Sequence, residues 1–171
     1  MFDTPALDGF DGQTRRDLAL VAFGGVLACL AGYVGTVALL YGDLSALSGD
    51  ARSPRRVAAA GASVVCWTYY ALAFVRARGG PVLDALVYPL LTVGVVPMLL
   101  RWSLFGVSGL FPGLSLEPLV LAVLAVVPGV GWFSVLLAAW SSRLDDHQRR
   151  RWERRHLTTA FRTSFVEDDR D

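Results

Sequence analysis

Apolar and polar positions along the chain do not alternate with a helical or strand period. They segregate into four long apolar runs divided by short charged breaks. Leu18–Gly42 is 25 residues without a charge, Val57–Val75 is 19, Gly79–Leu100 is 22 with Asp84 as its one acid, and Pro118–Ser142 is 25. A helix rises about 1.5 Å per residue, so roughly 20 apolar residues cross the ~30 Å hydrocarbon of a bilayer. All four runs meet that length. The pattern predicts an all-α integral membrane protein with four transmembrane helices in up-down order. The spans are placed at about 18–41, 57–76, 81–101 and 118–140, so residues 1–142 form a four-helix transmembrane bundle and 143–171 a charged tail.

Local chemistry at the run edges supports helix ends. Thr14 followed by Asp17 has the form of a capping box. Ser53-Pro54 offers a cap and then a proline in the first turn, and Pro81 and Pro118 suit the same place, where a missing N–H costs little. Gly79-Gly80 is a helix stop. The second and third helices are therefore expected to be antiparallel neighbours across a tight turn, 76–81. Interior prolines Pro89, Pro97 and Pro128 predict two kinked helices, the third and fourth. Small residues four apart, Ala28, Gly32 and Thr36 in the first helix and Ala58 and Ala62 in the second, allow close helix packing. That spacing serves contacts within one chain and between copies equally.

Charge then orients the bundle. All 16 basic residues are arginine. With the N-terminus inside, 12 arginines fall on the inner side and four (Arg52, Arg55, Arg56, Arg101) outside. Arginine is retained on the cytoplasmic side, so both termini are expected in the cytoplasm of a plasma-membrane protein. Three aspartates precede Arg15, and the first apolar run is longer than the core of a secretory signal, so it reads as an uncleaved first span. Trp102–Leu116 is uncharged yet too short to cross, which suggests an outer interfacial or re-entrant segment, or an apolar loop folded over the bundle end.

Composition adds little about chemistry. Hydrophobic residues are 54% of the chain and charged residues 18%, against about 25% charged in soluble domains. The absence of Lys, Asn and Ile, whose codons are AT-rich, and the excess of Asp over Glu, twelve to three, point to a GC-rich genome and suit a haloarchaeon or a high-GC bacterium. Cys29 and Cys66 each fall inside an apolar run and behave as small buried hydrophobes. Neither they nor the two histidines, His147 and His156, have the spacing of a metal site, and no cofactor is implied. Gly106-Val107-Ser108-Gly109 resembles the Gly-x-Ser-x of rhomboid intramembrane proteases over four residues. The resemblance implies a serine nucleophile, but such a nucleophile needs a base, and both histidines lie in the tail on the other side of the membrane. No catalytic residue is assigned.

Two candidate sites remain. Asp84 is an ionisable residue within a membrane run, with Tyr88 one helical turn on; a polar or ion site there stands beside the plainer reading of a helix-end anchor paired with Arg76 or Arg78. Trp67, Thr68, Tyr69, Tyr70, Tyr33, Thr36 and Thr92 supply further polar groups, either lining a cavity or bonding between helices. In the tail, Arg149, Arg150, Arg151, Trp152, Arg154 and Arg155 form a basic helix suited to anionic lipid headgroups. Nucleic acid is not an expected partner. The expected function is that of a non-enzymatic accessory, scaffold or regulatory subunit, acting on another membrane protein or on its own copies. The alternative is a small transporter or channel component using Asp84 and the kinked helices.

Overall fold

A computed structural model describes residues 4–47, 52–105 and 117–166. The expected features of 106–116, including the Gly-x-Ser-x stretch, and of the acidic end 167–171 lie outside these residues. Among the described residues the architecture is all-helical, without strands. The helices are α1 (Arg15–Tyr41), α2 (Arg52–Val75), α3 (Tyr88–Phe105, entered through a π-helical turn at Leu83–Val87), α4 (Glu117–Ser141), α5 (Asp146–His156) and α6 (Thr159–Phe165), with a 3₁₀ turn at Leu44–Leu47.

Among the described residues, three helices are long and apolar enough to cross a membrane: Arg15–Tyr41, Pro54–Val75 and Leu83–Leu100. In α4 the stretch Val126–Ser141 is apolar, within a helix of 25 residues. The outward positions are also apolar. Leu20, Phe23, Leu27, Leu39 and Leu40 of α1, Leu91 and Met98 of α3, and Val127 and Val135 of α4 are all exposed. A water-soluble bundle would carry its polar residues there.

Caps fix α1. Thr14 and Asp17 form a complete capping box, and Gly42 ends the helix with φ 73°. α2 starts earlier than its apolar run, at Arg52, which places Ser53 inside the helix instead of capping it. The reason lies with Arg55. Its guanidinium is buried and its Nε donates to the Leu47 carbonyl at 3.4 Å, so the arginine break is helix and not loop.

α2 is the central element: α1, α3 and α4 all pack on it. Small residues set the closest approaches. A side chain at Gly32 would meet Val65 and the backbone of Ala62, and one at Gly61 would collide with Thr36. Ala58 and Ala62 have no exposed surface, whereas Ala28 is half-buried. The stripes of α1 and α2 thus meet within one chain at Gly32, Thr36 and Ala62. α4 reaches α2 at Gly129, which lies directly on Trp67, and Phe133 stacks edge-on to Trp67 at 5.5 Å.

Head and tail close one end of the bundle together. Phe10 and Leu157 form an isolated β-bridge. The Asp11 N–H donates to the His156 carbonyl at 2.7 Å and the Thr158 N–H to the Gly9 carbonyl at 2.9 Å. Trp152 sits among Phe10, Phe74, Trp140 and His156, with centroids 5.3–6.1 Å away. Its Nε1 donates to the Val75 carbonyl at 3.2 Å. The last turn of α2 thereby gains a donor for an orphan carbonyl.

Candidate functional site

The site begins at the turn between α2 and α3. Ala77, Gly79 and Gly80 all take positive φ, at 52°, 84° and 90°. Gln13 of the head holds this turn by both ends of its amide: Nε2 donates to the Ala77 carbonyl at 2.7 Å, and Oε1 accepts from the Gly79 N–H at 3.2 Å. Gly79 is needed for space as well as for φ, because a side chain there would run into the Asp84 carboxylate.

Pro81 opens the next helix, and the chain then widens into the π turn. Tyr88 donates its N–H to Leu83, five residues back, instead of to Asp84. Pro89 explains the widening. It has no N–H for Ala85, and in a regular α-helix its ring would clash with that carbonyl. One extra residue in the turn moves that carbonyl aside. Isolated π turns of this kind recur at functional sites.

Asp84 lies in this turn and has no exposed surface. Neither carboxylate oxygen has a hydrogen-bond partner among the described residues. The pairing with Arg76 or Arg78 expected from sequence is not formed: both arginines point outward and are exposed. Tyr69, Tyr70 and Tyr88 are within electrostatic reach of the carboxylate. Their rings form a chain, Tyr69–Tyr70 at 5.2 Å and Tyr70–Tyr88 at 5.7 Å between centroids.

From there a string of polar atoms leads along the bundle interior. The Tyr70 hydroxyl is 3.3 Å from that of Thr92 and donates to the Ala22 carbonyl at 3.4 Å. The Cys29 thiol donates to the Thr92 carbonyl at 3.8 Å, and the Cys66 thiol lies close to it. Both cysteines are fully buried and reduced. The tyrosines reach this position because α1 has two glycines opposite them. A side chain on Gly24 would overlap the Tyr69 phenol, and one on Gly25 the Tyr70 phenol.

Other polar residues of the apolar runs go elsewhere. Thr36 bonds back to the Gly32 carbonyl at 2.6 Å. Thr68 donates to Val64 at 2.7 Å and accepts from Trp132 Nε1 at 2.8 Å. Tyr33 is buried in the core. Trp67 Nε1 is buried against Gly129 and has no acceptor among the described residues. The hydroxyls and indoles therefore divide between a cluster near Asp84 and separate helix contacts. Gln13, Gly24 and Gly25 belong to the site although the pattern of polar residues does not single them out. The sequence signal for the glycines was their adjacency within an apolar run.

At the tail, Arg149, Arg150, Arg151, Arg154 and Arg155 are exposed along α5, while Trp152 turns inward to the aromatic cluster. His156 packs on that cluster, and burial together with the neighbouring Arg155 charge holds its pKa below the usual histidine value. Among the described residues no group of three or more His, Cys, Asp or Glu gathers to hold a metal ion.

No family model, no curated protein and no solved structure matches the chain.

Proposed function

We propose that this is a multi-pass plasma-membrane protein with four spans and both termini in the cytoplasm, and that it is a small transporter or channel component working through Asp84. One observation carries the second part: a carboxylate with no exposed surface and no hydrogen-bond partner on either oxygen among the described residues, set in a π turn of an apolar helix. An ionised carboxylate so placed costs several kcal/mol. The site is at rest only when the carboxyl carries a proton or has a cation beside it, and exchanging the two is the chemistry by which membrane-buried acids serve transport. Tyr69, Tyr70 and Tyr88 are the polar side chains within electrostatic reach of the carboxyl. The four-span topology is supported by the 12-to-4 arginine distribution and by the length of α4.

Purified protein in liposomes tests the reading. Proton or monovalent-cation flux is expected in the wild type, and Asp84→Asn should reduce it by about tenfold or more, as loss of a single titrating carrier does. Absence of flux in the wild type, or flux unchanged in Asp84→Asn, overturns it.

A second reading, a non-enzymatic accessory, scaffold or regulatory subunit, draws support from the ordered tail, whose exposed arginines present a contact surface. Native mass spectrometry after gentle detergent extraction tests it: a second membrane protein at fixed stoichiometry, or a defined homo-oligomer, is its expected result.

A further inference from the structure

Where α4, α5 and α6 meet over the end of α2, they enclose a cavity of about 260 Å³ that is open on one side. Phe74, Trp140, Leu144, Trp152, Leu157 and Phe161 form its walls, and Arg149 stands at its edge. Polar atoms contribute almost nothing to the lining. The volume is below the roughly 300–1,000 Å³ of sites that take a whole small molecule. It suits one end of a flexible apolar chain.

Its surroundings identify the chain. Trp140 and Trp152 are the side chains that mark a membrane–water boundary. Five arginines, Arg149, Arg150, Arg151, Arg154 and Arg155, are exposed on α5, and of these Arg149 lines the cavity. Glu153 is the one acid among them; it lines the cavity as Arg149 does, and it is already engaged with another group. An apolar slot at headgroup level with a cationic edge is complementary to a lipid whose head is negative. We infer that the cavity holds one hydrocarbon chain of an anionic membrane lipid, with the headgroup on Arg149. This rests on the membrane reading above but not on any role for Asp84.

Brominated lipids test the assignment, because bromine on a chain quenches tryptophan on contact and Trp140 and Trp152 line the cavity. The protein is reconstituted into phosphatidylcholine vesicles containing the same fraction of either dibromo-phosphatidylglycerol or dibromo-phosphatidylcholine. The anionic lipid should quench about twofold more strongly, reflecting selection by the arginines. Leu144→Phe leaves every charge in place and narrows the cavity, so the excess should disappear. Val166→Phe, at another residue of the lining, serves if Leu144→Phe does not fold. Arg149→Gln should also remove most of the excess. Equal quenching of the wild type by the two lipids overturns the proposal. So does an excess that survives both narrowing variants, since the arginines would then collect lipid at the surface without the cavity. An excess untouched by Arg149→Gln overturns the headgroup assignment. Failure of the protein to enter vesicles at all would instead refute the membrane reading.

Discussion

Asp84 occupies a position that an apolar side chain would fill at lower free energy, and this separates its structural cost from its use. A buried polar group without a partner costs about 1–3 kcal/mol. Asp84→Leu, which keeps the branched shape of the side chain without that need, should therefore raise the thermal unfolding midpoint in detergent while removing any flux that depends on the carboxyl. A fall in the midpoint would mean that the carboxyl gains more from its surroundings than its contacts indicate. The glycines of α1 give a second comparison. Gly25→Ala forces the Tyr70 ring off the helix and away from Thr92, at an expected cost of about 1–3 kcal/mol. Gly35→Ala meets nothing within 4 Å and should stabilise by up to about 1 kcal/mol, because alanine is the better helix former. Thermal melts of the two variants side by side check the pair. The sequence made Asp84 visible as an acid in an apolar run, but not its burial. As a sequence feature it suits a helix-end anchor beside Arg76 and Arg78 as well as a polar site. What buries it is distant in sequence: the head folds over the turn, with Gln13 on Ala77 and Gly79 and the Leu7 carbonyl against Gly80.

Elements were easier to read than their interiors. The runs 18–42 and 118–142 lie within a few residues of α1 and α4, whereas the run 79–100 is divided between the π turn and α3, which continues to Phe105. α2 was placed late because a cluster of arginines reads as solvent-exposed loop, whereas Arg55 is buried on Leu47. Inside α3, Pro89 read as a kink, but proline alone does not say how the helix adjusts. Here it adjusts by the π turn, and that turn sets the direction of Asp84. Pro89→Ala restores an N–H that can reach Ala85 and allows regular α geometry. One residue fewer in the turn rotates everything before it by about 100° relative to the rest of α3. Asp84 should then leave its pocket, and flux should fall although the carboxyl is still present. Labelling with a hydrophobic carbodiimide, which reacts with carboxyls away from water, should drop in parallel. Unchanged labelling and flux would show that the α2–α3 turn, not Pro89, holds the π geometry.

At the scale of the whole molecule, one cluster joins the head and the tail to the bundle, and it contains a histidine. His156 packs on Trp152 at 5.3 Å between centroids, and its carbonyl accepts the Asp11 N–H. Burial, and then the Arg155 charge, disfavour the protonated ring in the docked state, so its pKa lies below the ordinary histidine value of about 6.5. An undocked tail keeps the ordinary value. As pH falls through about 6.5 the undocked state binds the proton more readily, and by linkage it gains population. Docking should therefore be at full strength above about pH 7 and weaken progressively on acidification, the opposite of a histidine that gains an anionic partner. Hydrogen exchange at the Asp11 and Thr158 amides reports this directly, because both N–H groups bond between head and tail. After correction for the intrinsic pH dependence of exchange, their protection should fall between about pH 7 and pH 5. Core amides of α2 should keep theirs. His156→Phe retains the ring contact with Trp152 and removes the proton, so protection at Asp11 and Thr158 should become independent of pH. Protection that rises on acidification, or a pH dependence that persists in His156→Phe, would assign the coupling to a different group.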